Sequence, residues 1–254
     1  MKPEGAAPAL SLVIPAYNEE VRLGGSLESV GAFASSWPGG CEVIIVDDGS
    51  RDRTAAIATE FASKRPGTRI LLNDVNRGKG YSIRRGVLEA RGVNVLVSDA
   101  DLSTPLSEAV KLIGRLESLG QGIVVGSRAL ASSNVEIHQN VIRETMGRVF
   151  NVLVRSITRL PFRDTQCGFK AMTRSVVTPI FRRARVDRFS WDVEILYVAH
   201  RRGIPIEEIP VTWRNAPGSK VGILSAPLNM LLDVARIRRR YRQGWYDADP
   251  EAQG

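Results

Sequence analysis

Short apolar runs at 10–14, 43–46, 93–97 and 123–125 each stop abruptly on polar or acidic residues. The stops read Pro15-Ala16-Tyr17-Asn18-Glu19-Glu20, Asp47-Asp48-Gly49-Ser50, Asp99-Ala100-Asp101 and Gly126-Ser127-Arg128. Runs of this length without polar alternation predict parallel strands buried on both faces. Stretches at 21–37, 52–64, 81–91 and 105–119 predict helices between them. The last opens on Thr104-Pro105, where threonine can cap and proline gives up no needed donor. Strand–helix alternation in this order predicts an α/β fold with a doubly wound, mostly parallel central sheet.

Beyond Arg128 the pattern loosens. Residues 140–160 have helical periodicity, with Met146, Val149, Phe150, Leu153, Val154, Ile157 and Leu160 in a stripe roughly 140° wide. Arg148, Arg155 and Arg159 fall on the other side, but Arg143 falls inside the apolar stripe, and an arginine there calls for an anion. Later strands are expected at 168–172 and 206–213, and a helix at 189–203 carrying Trp191, Asp192 and Glu194. Residues 1–8 and 247–254 lack periodicity and read as disordered tails. Between them, 9–225 reads as one domain and 226–246 as an amphipathic, basic C-terminal helix.

The net charge of +8 requires an anionic partner. Arginines crowd 143–188 and 236–242, and the latter cluster follows Leu228, Met230, Leu231, Leu232, Val234 and Ala235. An apolar stretch running into a basic one suits an anionic membrane surface, and equally a core-packed helix with a solvated end. Nucleic acid fits poorly, because aromatic stacking platforms are not evident and the strand ends are acidic. Cys41 and Cys167 are the only two cysteines and lack metal-ligand spacing. They read as reduced packing residues. No apolar run approaches the about 18 residues of a spanning helix, so a cytoplasmic protein peripheral to the inner face of the cell membrane is expected.

Carboxylates at neighbouring strand ends converge on one crevice, and open α/β sheets bind ligands there. Such a cluster repels itself unless a cation or a hydrogen-bonding ligand is present. In Asp99-Ala100-Asp101, one carboxylate suits a divalent cation and the other a ribose or a metal-bound water; Mg2+ or Mn2+ fits oxygen ligands plus substrate phosphates. Asp48-Gly49 is also a plain turn signal, and Ser50 or Asp52 a plain helix cap. Asn76-Arg77-Gly78-Lys79-Gly80 is a short basic glycine loop before a helix, suited to phosphate but without P-loop spacing.

Together the motifs Val13-Ile14-Pro15-Ala16-Tyr17-Asn18-Glu19-Glu20, Asp47-Asp48-Gly49-Ser50, Gly78-Lys79-Gly80 and Asp99-Ala100-Asp101 resemble the family 2 glycosyltransferases of the GT-A fold. Arg163-Asp164-Thr165-Gln166-Cys167-Gly168-Phe169-Lys170, Trp191-Asp192-Val193-Glu194 and Pro217-Gly218-Ser219-Lys220 look like the polyprenyl-phosphate sugar synthases. They are most similar to the dolichyl-phosphate β-glucosyltransferases, then to the mannose synthases. Eukaryotic members of the glucosyl branch carry an N-terminal membrane anchor, and no such anchor is expected in this chain.

The resemblance implies that Pro15, Tyr17, Glu19, Asp47, Asp48, Lys79, Asp99 and Ala100 bind the nucleotide sugar, with Arg214 and Lys220 on a mobile loop pivoting at Gly218. It implies a metal held by Asp101 and Asp99, with Ser103 where the mannose synthases have glutamine. Asp101, Asp164 and Gln166 are the catalytic candidates, with Asp164 and Gln166 orienting sugar or phosphate, or else simply fixing the turn before Gly168. Arg128 and Arg143 match the acceptor-phosphate positions. The implied reaction is inverting transfer of a hexose, foremost glucose from UDP-glucose, onto polyprenyl or dolichyl phosphate. GDP-mannose is the alternative donor, and a non-catalytic nucleotide-sugar- or membrane-binding protein the alternative class.

Overall fold

The computed structural model describes residues 7–137, 141–214 and 225–247, and for 137, 141–146, 148–150 and 225–228 the backbone alone. The chain runs β1 (Leu10–Ala16), α1 (Glu20–Ser36), β2 (Cys41–Asp47), α2 (Thr54–Ser63), β3 (Thr68–Leu72), α3 (Lys79–Glu89) and β4 (Asn94–Val97). It continues with α4 (Ala109–Leu119), β5 (Ile123–Ser127), β6 (Asn134–Ile137), α5 (Val141–Thr158), β7 (Lys170–Thr173) and α6 (Arg174–Arg183). It closes with α7 (Trp191–Arg201), β8 (Ile206–Pro210), β9 (Thr212–Arg214) and α8 (Ser225–Arg242).

A seven-stranded sheet has the order β3-β2-β1-β4-β7-β5-β8, and a small second sheet pairs β6 with β9. All pairings in the large sheet are parallel except those of β7, which runs antiparallel between β4 and β5. Strand alternation splits the core. Val13, Ile44 and Val46 face the side covered by α3, α6 and α7, whereas Leu12, Ile14, Val43 and Ile45 face α1 and α4. The sheet is thus covered on both faces, as the mostly apolar runs demand.

Because β2 and β3 lie on one side of β1 and β4 on the other, the winding reverses between β1 and β4. A crevice opens beyond the carboxyl ends at such a reversal. The antiparallel β7 brings the opposite end of its own segment, 164–170, to the same place.

The expected strand at 206–213 divides into β8 and β9 at Val211, which is buried and bonds by its N–H to the Ser127 carbonyl. Of the expected tails, the Pro8 carbonyl accepts from the Val93 N–H, and Asp247 pairs with Arg202 at 3.2 Å. α8 packs in the core through Val234 and Ile237, both 0% exposed. The expected stripe holds at Val154 on α5 and at Leu160 just past its end, but Leu153 is 42% exposed. Among the described residues no helix is long and apolar enough to cross a membrane.

Candidate active site

The turns after β1 and β2 are stitched together over the crevice. The Asn18 N–H donates to Ser50 Oγ at 2.9 Å, the Ser50 N–H to Asp47 Oδ2 at 3.0 Å and the Arg51 N–H to Asn18 Oδ1 at 2.8 Å. Asn18 takes φ +52° to allow it. Pro15, at the end of β1, is buried and Tyr17 half-buried. The Glu19 carboxylate takes both arms of Arg22 at 2.8 Å, and Arg22 reaches on to Asp101 at 3.7 Å. Asp47 is 2% exposed, yet its Oδ1 has no hydrogen-bond partner among the described residues. A buried acceptor left open at a strand end is suited to a ligand donor.

Asp48 has a different part. Its carboxylate accepts from Asn73 Nδ2 (2.8 Å), Asn76 Nδ2 (2.9 Å) and the N–H groups of Arg77 (3.0 Å) and Gly78 (2.8 Å). A fixed carboxylate therefore occupies the amino end of α3, where the glycine loop was expected to cradle phosphate. Gly78 is required for another reason: φ is +110°, and a Cβ there would strike the Asp187 carbonyl.

Lys79, the first residue of α3, turns into the crevice and pairs with Asp99 Oδ1 at 2.5 Å. Burial disfavours both charges, but their mutual attraction outweighs it, holding the Asp99 carboxyl low and the Lys79 ammonium high. Gly168 leaves the space Asp99 needs, since a Cβ there would overlap its carboxylate. Ala100, between the two aspartates, is 6% exposed. Asp101 Oδ1 accepts from the Ser103 N–H at 3.0 Å, and the Ser103 carbonyl accepts from the Arg214 N–H at 2.8 Å. The Arg214 side chain lies outward against Glu136.

At the end of β5, Arg128 grips Asp164 with Nε at 2.7 Å and Nη2 at 2.9 Å, and the N–H groups of Arg128 and Gln166 add two more donors to Asp164, each at 3.1 Å. Burial opposes the Asp164 charge, yet Arg128 holds its pKa at about 2. The guanidinium also lies 5.6 Å from the Trp213 ring and close enough to Asp99 to feel its charge. The Arg143 side chain and all of Lys220 and Gly218 lie outside the described residues.

Two more charged groups line the floor that sequence reasoning had not placed in the site. Lys170 is 1% exposed, with its ammonium on the Cys167 carbonyl, 5.2 Å from the Trp191 ring and 3.9 Å from Asp192 Oδ2. Asp192 is 3% exposed; burial raises its pKa to about 6, and Lys170 only partly counters it. The available signal was a charged pair inside otherwise apolar elements, Lys170 opening β7 and Asp192 in the first turn of α7.

The model for "Glycosyl transferase family 2" matches residues 11–181, from β1 into α6, and so takes in the ends of β1, β2, β4 and β5 and the start of β7, with Asp192, Trp213 and Arg214 beyond it. The chain belongs to glycosyl transferase family 2. This glycosyltransferase is 37% identical over 246 residues to the dolichyl-phosphate β-glucosyltransferase of Dictyostelium discoideum, covering 92% of this chain and 75% of that one. The human dolichyl-phosphate β-glucosyltransferase is 36% identical over 247 residues, covering 92% and 76%. Its GT-A fold is shared with glucosyl-3-phosphoglycerate synthase from Mycobacterium tuberculosis, crystallised with Mn2+, UDP-glucose and phosphoglyceric acid. That superposition has a TM-score of 0.64 at 22% identity, over 90% of this chain and 80% of the other.

Proposed function

We propose that this glycosyltransferase moves glucose from UDP-glucose onto a polyprenyl or dolichyl phosphate at an anionic membrane surface, with inversion and with help from Mg2+ or Mn2+. The observation that carries the proposal is the pairing of an open nucleotide side with a cationic acceptor side around Asp99. Asp47 Oδ1 is the free buried acceptor on one side. Arg128, held by Asp164, is the fixed guanidinium on the other. The similarity to dolichyl-phosphate β-glucosyltransferases favours glucose over mannose and a dolichyl phosphate acceptor.

The donor set fits a divalent cation that takes most of its ligands from a diphosphate. Among the described residues no group of three or more His, Cys, Asp or Glu side chains could hold a metal unaided. Mg2+ is ordinarily bound by one or two carboxylates plus substrate phosphates and water. Asp101 would be the main ligand, with Asp99 and the Ser103 hydroxyl beside it. When bound, the ion offsets charge developing on the departing nucleoside diphosphate.

The protein's own groups do the rest. Pro15, Tyr17 and Asp47 receive the base and ribose, while Glu19 and Asp48 act one step back by fixing Arg22 and the 76–78 loop. Arg128, with Arg143, orients the acceptor phosphate. That phosphate is already an anion at neutral pH, so no strong base is needed. One of its oxygens attacks the anomeric carbon as the bond to the diphosphate oxygen breaks, and a single in-line displacement turns an α-linked donor into a β-linked lipid phosphosugar. Gln166 and the Lys170–Asp192 pair border the sugar. Arg214 and Lys220 stabilise the leaving diphosphate, which requires Arg214 to leave Glu136.

The stereochemistry tests the mechanism. The product isolated from UDP-glucose and a short polyprenyl phosphate should give the NMR coupling of a β-glucosyl phosphate. An α-linked product would overturn single displacement.

A further inference from the structure

The outer face of α8 divides its side chains in an unusual way. At 100° per residue, Leu232, Ala235, Arg238, Arg239 and Arg242 fall within about 120°, while Leu231 in the same arc leans onto the core. The opposite face, with Val234 and Ile237, is spent on the core. Of the arginines on this helix, Arg236 pairs with Asp233 at 3.1 Å, and Arg240 bonds to Tyr246. Arg238, Arg239 and Arg242 have no acidic partner among the described residues.

These three arginines surround a cavity of about 330 Å³ between α8 and α5, lined also by Ile157, Ala235 and Gln243. Beside it, Leu232 is 48% exposed, and Leu153, one helical turn before Ile157 and on its face, is 42% exposed. Unpaired cations over an apolar floor, flanked by exposed leucines, complement a phosphate group joined to acyl chains. A solvated arginine face lacks the floor and the leucines. A nucleic-acid groove would lack the leucines and carry aromatic platforms.

We propose that the α5–α8 groove is a docking site for the headgroups of anionic phospholipids, seating Arg238, Arg239 and Arg242 on phosphates and Leu232 and Leu153 among the acyl chains. It deepens the proposed function, because a lipid-phosphate acceptor has to be met at a membrane, and rests on that reading for its purpose but not for its geometry. Attraction to anionic lipid adds up over nearby basic residues and fades within a Debye length of about 8 Å at physiological salt.

Co-sedimentation of the whole chain with vesicles of phosphatidylcholine, or of phosphatidylcholine mixed with phosphatidylglycerol, tests it. The wild type should bind only the mixed vesicles, and less as salt rises. The triple variant Arg238→Gln, Arg239→Gln, Arg242→Gln should lose binding by roughly 10- to 100-fold. It should keep its melting temperature and its transfer to a short, water-soluble prenyl phosphate. Leu232→Gln should weaken binding at high salt, where the charge contribution is screened.

Wild-type failure to bind the mixed vesicles, or unchanged binding by the folded triple variant, overturns the proposal. So does retention on heparin without vesicle binding, which would point to a different polyanion. Loss of short-acceptor transfer in the folded triple variant also overturns it, by moving the arginines to the reaction itself. Vesicle binding that follows the prediction in a protein that transfers from no donor would support the surface and remove the proposed reaction instead.

Discussion

Arg128 and Asp164 form a two-pronged clasp, Nε to Oδ2 at 2.7 Å and Nη2 to Oδ1 at 2.9 Å, with the carboxylate almost wholly enclosed. The clasp makes the two residues one unit: Asp164 has no oxygen free to serve as a base, and Arg128 is pointed at the crevice instead of being free to roam. Removing the arginine outright would leave a buried charge without its partner, at a cost of about 3–5 kcal/mol. Arg128→Ala should therefore lower the melting temperature sharply and is a poor probe of chemistry. Arg128→Lys should fold, keep nucleotide affinity and raise the KM for lipid phosphate several-fold. Calorimetry and acceptor titrations read the two effects separately.

The same clasp has an acid limit. The Asp164 pKa is depressed to about 2 in the folded protein from an ordinary 3.8, so its stabilising share is present above pH 3.8 and is lost as pH falls toward 2. In Asp164→Asn the acid-unfolding curve should lose this component, flattening between those values. An unchanged slope would contradict the pairing.

Asp192 has the opposite sign. Its folded pKa is raised from 3.8 to about 6, so folding favours its protonated form. The benefit is full below 3.8 and is lost as pH climbs through 6, leaving a buried charge at neutral pH. Asp192→Asn should accordingly melt higher than the wild type at pH 8, by an amount corresponding to about 2–3 kcal/mol, and show no gain near pH 4. Transfer should fall in the same variant, since Lys170 loses its countercharge beside the sugar. Melting curves across pH, set beside initial rates, check both.

Adjacent aspartates should separate cleanly. Asp48 holds donors from Asn73, Asn76, Arg77 and Gly78, so Asp48→Ala should destabilise the fold by about 3 kcal/mol or more through the donors it orphans. Asp47 leaves Oδ1 open, and Asp47→Asn should keep stability while weakening UDP binding by roughly tenfold, the worth of one hydrogen bond of about 1.4 kcal/mol. Denaturant curves and nucleotide titration of the two variants distinguish the roles.

The parallel framework was legible because the runs at 10–14, 43–46, 93–97 and 123–125 are apolar but for Ser11 and Asn94, and each ends on a chemical group. Asp47, Asp99, Asp101 and Arg128 were therefore found at the correct strand ends. Three things escaped. β3 is half-buried with Thr68 and Arg69 in it, and α6 contains Pro179 among arginines, so neither shows a clean period. The direction of β7 is a matter of long-range pairing that periodicity does not encode. Finally, the use of a residue depends on what surrounds it. Asp48 stands in a ligand motif, yet its oxygens accept from Asn73, Asn76, Arg77 and Gly78, and Lys170 and Asp192 read as parts of a strand and a helix although they meet beneath the crevice.

The central claim is that this site joins a uridine nucleotide sugar to a lipid phosphate. Its most direct test supplies labelled UDP-glucose or GDP-mannose, a short polyprenyl phosphate and Mg2+ or Mn2+, with the Asp101→Asn variant alongside. Label should enter the organic phase from UDP-glucose alone, vanish with chelator, and vanish in the variant while its melting temperature stays unchanged. Transfer from GDP-mannose in preference, or metal-dependent hydrolysis of UDP-glucose with no label reaching the lipid, would contradict it.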